Sequence, residues 1–401
     1  MEESSHEYFD VCIVGASIAG NYLSFLLSKS NLKIAVLEEH KEVGLPFQCA
    51  GIISQKLSQL IELPKGIILN RVKTAKIVAP SGKFIRLTGN ERPFIVNRVS
   101  LDCLYYDKNK LNRNITYYLG EKYKSFEYRI DNNKKYVIIE TSKRKIRCKL
   151  LVGCDGPLSL VGKQVKVKNT VLYATQIRIE ANFDEDQTVM YFDPQWKELF
   201  GWIVPEGNQV FRIGIASSKN VNKCFKRYLE ELKIDIDNKI DQQGGIIPYG
   251  IMNRVAFDNM LLLGDAAGQV KATTGGGIIM LLTAAKHASR CVNLCFKNIT
   301  FSKKYIKKYY EKPCSQTIGR ELKLHYLIRL ILEKFTDKDF EVFFKIIKEN
   351  KIERIISFYG DMDFPKTLVA KLLRNRTVLG FIFKFLMKNP VIIFKMLKLL
   401  F

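Results

Sequence analysis

Leu261-Leu262-Leu263-Gly264-Asp265-Ala266-Ala267-Gly268, running on to Thr273-Thr274-Gly275-Gly276-Gly277-Ile278, is the stretch whose reading decides the fold. Three leucines predict a short buried strand that Gly264 ends. The apolar, alanine-rich run from Ile278 to Ala288 predicts a helix, with Thr274 in position to cap it. A carboxylate at the tip of a strand, Asp265, can accept from a polyol hydroxyl. Unpaired N–H groups at the start of a helix, at the positive end of its dipole, suit an electron-rich ring or an anion. The glycines let such a ligand approach bare backbone. Read without a ligand, the same residues are simply a strand, a glycine-rich turn and a helix.

Upstream, Phe9-Asp10-Val11-Cys12-Ile13-Val14 predicts a strand, Gly15-Ala16-Ser17-Ile18-Ala19-Gly20 a turn into a helix, and Lys33 to Leu37 a second strand ending in Glu38. This is a βαβ unit with a nucleotide-binding fingerprint: glycines for the turn, a helix N-terminus for a pyrophosphate, and an acid roughly 20 residues on for ribose hydroxyls. Ser17 stands where the middle glycine is usual, and its small side chain still permits approach of a phosphate. Glu39 follows as a second acid at the same strand end. A third strand end carries Leu150-Leu151-Val152-Gly153-Cys154-Asp155-Gly156-Pro157-Leu158-Ser159. Two further segments complete the set: the turn-rich Gly44-Leu45-Pro46-Phe47-Gln48-Cys49-Ala50-Gly51, and Phe94 to Asp102 with Arg98 at its centre.

These motifs, in this order, resemble those of the FAD proteins related to p-hydroxybenzoate hydroxylase. Gln48-Cys49-Ala50-Gly51 and Thr273 to Ile278 resemble, more narrowly, the geranylgeranyl reductases. The resemblance spans residues 9 to 300 and implies FAD held non-covalently. By it, Gly15, Ala16, Ser17, Ala19, Gly20, Glu38 and Glu39 form the dinucleotide site, and Asp155 lies behind the pyrophosphate. Asp265 holds the ribityl chain, Arg98 reaches the pyrophosphate or ribityl region, and Gly276, Gly277 and Ile278 meet the N1–C2=O edge of the ring. Cys49 and Ala50 pass beside the isoalloxazine, with Cys49 the candidate catalytic residue. Read as an isolated cysteine, Cys49 is equally a buried small apolar residue. Phe200 to Pro205 resembles the strand lining the family's substrate cavity, which makes Trp202 and Pro205 cavity candidates. Gly162 replaces an arginine common in the hydroxylases, which argues against direct docking of NAD(P)H there.

Composition narrows the partners. The chain carries 64 Lys and Arg against 40 Asp and Glu, a net charge of +24. Such an excess favours anionic partners, whether nucleic acid, an anionic membrane or a phosphorylated substrate, and it equally describes a generically basic surface. Nine scattered cysteines without a CxxC fit a reducing compartment and predict neither disulfides nor a metal site. The polar first residues predict no secretory signal, and no run of 18 apolar residues predicts a membrane span. Residues 74–79 and 83–87 predict a hairpin, and 115–120, 136–146 and much of 172–216 read as strands. Gly244 to Gly250 reads as the last strand before the chain returns to the cofactor domain. Beyond Asn298 the character turns helical and lysine-rich. Pro365 to Phe401 contains basic residues and no acid, and Pro390 predicts a break in the final helix.

The implied fold class is α/β: a Rossmann-like parallel FAD-binding sheet interleaved with a mostly antiparallel substrate sheet, followed by a C-terminal helical region. The expected segments are 7–73, 92–168 and 253–298 for FAD, 74–91 and 169–252 for substrate, and 299–401 for the helices. The implied activity is reduction of prenyl double bonds on a prenylated glycerophospholipid or prenyl diphosphate. The electron donor is expected to be NAD(P)H or a reduced ferredoxin-type carrier. An anionic membrane surface is expected as a partner and nucleic acid is not, with the protein cytoplasmic and peripheral on the membrane face. A flavin hydroxylase or halogenase, and a non-catalytic flavin-binding membrane protein, are the alternatives.

Overall fold

The computed structural model describes residues 7–131, 133–252 and 254–400. Residues 1–6 and Phe401, which close the polar start and the basic tail, lie outside the described residues.

The strand Glu7–Val14 pairs in parallel with Ile34–Glu38 on one side and Lys145–Gly153 on the other. Outward from these lie Ile115–Leu119 and Met260–Leu262, both also parallel to their neighbours. Strands buried on both faces need continuous apolar runs, and Val11 to Val14, Ile34 to Leu37 and Leu150 to Val152 supply them. Lys134–Thr141 and Tyr123–Asp131 extend this eight-stranded sheet antiparallel at one side. The alternating run expected over 136–146 is therefore two strands of a hairpin, turning at Ser142 to Arg144. The helix Ile278–Lys297 packs on the sheet beside Ile18–Leu27, and it runs well past the predicted Ala288. Its N-cap is Gly277, without a side-chain cap, and not Thr274. Thr274 instead turns its Oγ1 toward the amide of Gly276, at 3.4 Å.

The second sheet has seven strands in the order Lys239–Tyr249, Thr170–Glu180, Val210–Ser217, Gly201–Gly207, Gln187–Tyr191, Thr74–Val78 and Phe84–Thr88. All its pairings are antiparallel except that of Gln187–Tyr191 with Thr74–Val78, so the hairpin from early in the chain completes a sheet built mainly from 170–249. A small third sheet of Ile52–Ile53, Phe94–Val96 and Ile68–Arg71 lies at the junction.

After Asn298 the chain is helical. Phe335 sits among Phe340, Phe343, Phe381 and Phe385, and this aromatic core continues to Ala79 and Ile85 of the early hairpin. The helical region is thereby fixed to the outer strands of the second sheet. Arg376–Lys388 and Pro390–Leu399 meet at 102°, as the missing N–H and ring of Pro390 dictate. No single helix among the described residues is long and apolar enough to cross a membrane.

Candidate cofactor and substrate site

Two cavities meet between the sheets. A cleft of about 660 Å³ runs along the C-terminal ends of the parallel strands. That is where an open α/β sheet binds its ligands. A second cavity of about 540 Å³ lies under the seven-stranded sheet and is mostly apolar. They share a seam formed by Gln48, Cys49, Ile52, Ile246, Ile247, Gly275 and Gly276.

The cleft begins at the first turn. Gly15 has φ +103°, and a Cβ there would lie 2.4 Å from the carbonyl of Cys154; one on Gly20 would lie 2.0 Å from the carbonyl of Gly15. Gly20 thus closes helix onto strand and does not itself face the cleft, while Ala16, exposed Ser17 and Ala19 do. Glu38 and Glu39 line its far wall. Glu38 accepts from the Ala16 amide at 2.8 Å and from the His40 amide at 3.0 Å, which pins its carboxylate beside the turn. The first free amide of the helix, Ile18, donates to Asp102 at 2.9 Å, and Asp102 also accepts two bonds from Arg98. Burial weakens the Arg98 cation, but Asp102 and Cys49 outweigh it and hold the guanidinium above its ordinary range. Asp102 was not singled out in the sequence, although Arg98 and Asp102 stand four residues apart, the spacing of neighbours on a helix face.

Asp155 lines the cleft, yet its carboxylate is taken up by the Ser159 hydroxyl at 2.6 Å and the Val161 amide at 3.0 Å, so it organises the following helix. Asp265 is different. Its carboxyl faces the cleft and accepts no hydrogen bond from any described residue; burial pushes it up to about 6, opposed by Arg98. Arg98 Nε is likewise buried without an acceptor among the described residues. Gly276, Gly277 and Ile278 form the wall beside Asp265, and the opening amides of the Ile278 helix have no intrahelical acceptors. An unused carboxylate, an unused guanidinium N–H and a row of free amides are complementary to a polyol, a diphosphate and the carbonyl edge of a flavin. The residues present therefore fit FAD. Asp265 would hold the ribityl hydroxyls, Arg98 the diphosphate side, and the Gly277–Ile278 amides the ring edge.

At the seam, Cys49 is partly exposed and its Sγ accepts from the Gly51 amide at 3.3 Å. The second sheet holds this loop from above. Gln176 donates to the carbonyl of Cys49 at 3.0 Å, and fully buried Arg212 donates to that of Ala50 at 2.9 Å. Glu206 anchors Arg212 at 2.9 Å. Gly51, at φ +75°, makes room: a Cβ there would sit 2.0 Å from Arg212 Nη1. Neither Gln176 nor Arg212 carried a sequence signal, since each reaches more than a hundred residues back along the chain. Ala50 faces the apolar cavity and not the cofactor cleft, a correction to its expected place. Trp202 lines the cavity, with its indole N–H on Gln176 at 3.1 Å. Pro205 does not line it. Trp202 and Val204 point inward, so strand alternation turns Ile203 and Pro205 to the other face.

Comparisons with known proteins agree on the cofactor. The family model described as FAD binding domain matches residues 85–288, just over half of the chain. An uncharacterized protein of Methanocaldococcus jannaschii is 27% identical over 397 residues, covering 93% of this chain and 97% of its own. The digeranylgeranylglycerophospholipid reductase 1 of Methanococcoides burtonii is 26% identical over 374 residues, covering 86% and 88%. Among solved structures, a geranylgeranyl bacteriochlorophyll reductase-like protein from Thermoplasma acidophilum aligns with TM-score 0.77 at 21% identity, over 98% of this chain and all of that one. With a cleft that fits the cofactor and a family model that matches across it, the chain belongs to the FAD-binding-domain family, as an FAD-dependent oxidoreductase.

Proposed function

We propose that this protein saturates isolated double bonds of prenyl chains carried on a glycerophospholipid. The observation that carries this reading is the apolar cavity joined to the cofactor cleft at Cys49 and Gly276. Met190, Leu199, Trp202, Val204, Ile328 and Leu332 line it, a surface suited to a hydrocarbon chain and poor in groups for a polar substrate. Reduced FAD supplies a hydride when bound. An alkene has no carbonyl to take up charge, so the second carbon must receive a proton inside a site that excludes water. Cys49, held at the seam by Gln176 and Arg212, is placed to give that proton directly or through an ordered water. Relatives named digeranylgeranylglycerophospholipid reductase support the substrate class.

The same reading puts the protein on an anionic membrane surface. Leu379, Phe383 and Met387 project to solvent along one stripe of Arg376–Lys388, and Val391, Phe394 and Leu397 do so from the following helix. Lysines flank both stripes and no acid occurs beyond Pro365. This arrangement suits interfacial burial on anionic lipid. Ile328, Leu332, Ile356 and Leu368 of the same helical region wall the apolar cavity, so one region carries both the exposed stripes and part of the cavity wall.

The test is anaerobic incubation of dithionite-reduced protein with geranylgeranylated glycerophospholipids. Products should gain two hydrogens per reduced bond by mass. Reoxidation only by oxygen, with no mass gain in the lipid, would place the protein with the hydroxylases or halogenases instead.

A further inference from the structure

Lys271 and Asp363 form a buried ion pair on the wall of the cofactor cleft, Nζ to Oδ1 at 2.6 Å, with side chains 6% and 1% exposed. Lys271 also donates to the carbonyl of Met362 at 3.0 Å, and Asp363 Oδ2 is buried without a partner among the described residues. Such a pair is not explained by stability. Taking both charges out of water costs about as much as their attraction returns, and an apolar replacement is often neutral or better. Its position offers another reason. Lys271 accepts from the Gly275 amide at 2.8 Å and donates its own amide to Gly276 at 3.0 Å. A Cβ on Gly276 would lie 3.4 Å from Lys271 Nζ. The cation is therefore packed behind the loop at the seam, where a flavin ring must lie to reach a substrate in the apolar cavity.

The loop is held rigidly against these charges. Buried His325 shares a hydrogen with the Thr273 hydroxyl at 2.6 Å, and its other ring nitrogen is 3.1 Å from the Asp363 carbonyl. Arg329, fully buried, donates to the carbonyls of Ala272 and Thr273 at 3.1 and 2.9 Å. Two-electron reduction of bound flavin with uptake of one proton leaves an extra negative charge on the ring. In a wall of low polarity, a fixed cation nearby favours that state and a fixed anion opposes it.

We propose that Lys271 and Asp363 set the reduction potential of the bound flavin in opposite directions, Lys271 raising it and Asp363 lowering it. The segment Gly360–Met362, adjoining Asp363, also walls the apolar cavity, so the pair ties the flavin's potential to the element that meets the substrate. This rests on FAD binding and on a ring at the seam, and is independent of which lipid is reduced.

The test is equilibrium reduction of FAD-loaded protein against a reference dye, for wild type, Lys271→Met, Asp363→Asn, the double variant and Lys271→Arg. Lys271→Met should disfavour reduction about tenfold, roughly 30 mV more negative for a two-electron couple. Asp363→Asn should shift it a similar amount the other way, the double variant should return near wild type, and Lys271→Arg should stay near it. Shifts of the same sign in both single variants, or none beyond about twofold, would overturn the proposal, because a merely structural pair would not give opposite signs. Should the single variants purify without FAD, the double variant and Lys271→Arg decide: a potential displaced in either by the amount expected of a lone charge also overturns it.

Discussion

Asp265 makes cofactor binding depend on pH in a direction that can be worked out from the cleft. In the apoprotein its carboxyl is pushed up to about 6 by burial, with Arg98 opposing. Ribityl hydroxyls donate to the ionised carboxylate, so FAD must bind the deprotonated form and expel the proton. At about pH 5 roughly one molecule in eleven is ionised, and at about pH 7 nearly all are. Affinity should therefore rise about tenfold over that interval, about 1.4 kcal/mol, and level off above it. The sign for folding is the reverse. A carboxyl raised in the folded apoprotein adds stability below its unfolded value, and that contribution is lost as pH rises through about 6. The assay is titration of apoprotein with FAD, followed by quenching of flavin fluorescence, at several pH values. Asp265→Asn should bind more weakly and lose most of the slope. Asp265→Ala should lose about 1.5–3 kcal/mol of FAD affinity at neutral pH, as a charge-assisted hydrogen bond disappears. Equal wild-type affinity at both ends of the range, or an unchanged slope in Asp265→Asn, would refute the assignment of Asp265 to the ribityl chain.

Gly51→Ala should destabilise the protein by about 3 kcal/mol or more, since a left-handed alanine costs about 1–2 kcal/mol and the new Cβ displaces Arg212 from buried partners. Gly66→Ala, with φ +90° and open space around it, should show only the backbone part in a parallel denaturant series. Cys49→Ser, nearly isosteric but a far weaker acid, should slow single-turnover alkene reduction while FAD content stays at wild-type level. Unchanged rates would reduce Cys49 to packing. Deleting Val391–Phe401 should weaken binding to anionic liposomes, by about 1 kcal/mol for each basic residue removed from the surface, with FAD content normal. Equal sedimentation of truncated and full-length protein with liposomes would exclude that segment as the anchor.

Local chemistry made much of the cofactor side legible. Apolar runs that end in Gly15, Glu38, Asp155 and Gly264 are strands buried on both faces, and glycines at their ends leave room for a ligand whatever the rest of the chain does. Alternation in 74–88 was enough for a hairpin, but nothing local said that its partner would be Gln187–Tyr191. Pro390 announced the bend in the tail because a missing N–H acts on its own helix. Other features depended on contacts between distant segments. Asp155 and Asp265 look alike in sequence, each following a strand, yet Ser159 and Val161 occupy one carboxylate while the other stays open to the cleft. Pro205 and Ala50 were misplaced because the direction of a side chain depends on strand register and on Arg212, which reaches in from another sheet. The clasp of Lys271, His325 and Arg329 on the glycine loop was invisible for the same reason. A hydrogen bond spanning fifty or ninety residues leaves no periodicity in the sequence, and only the folded chain brings its two ends together.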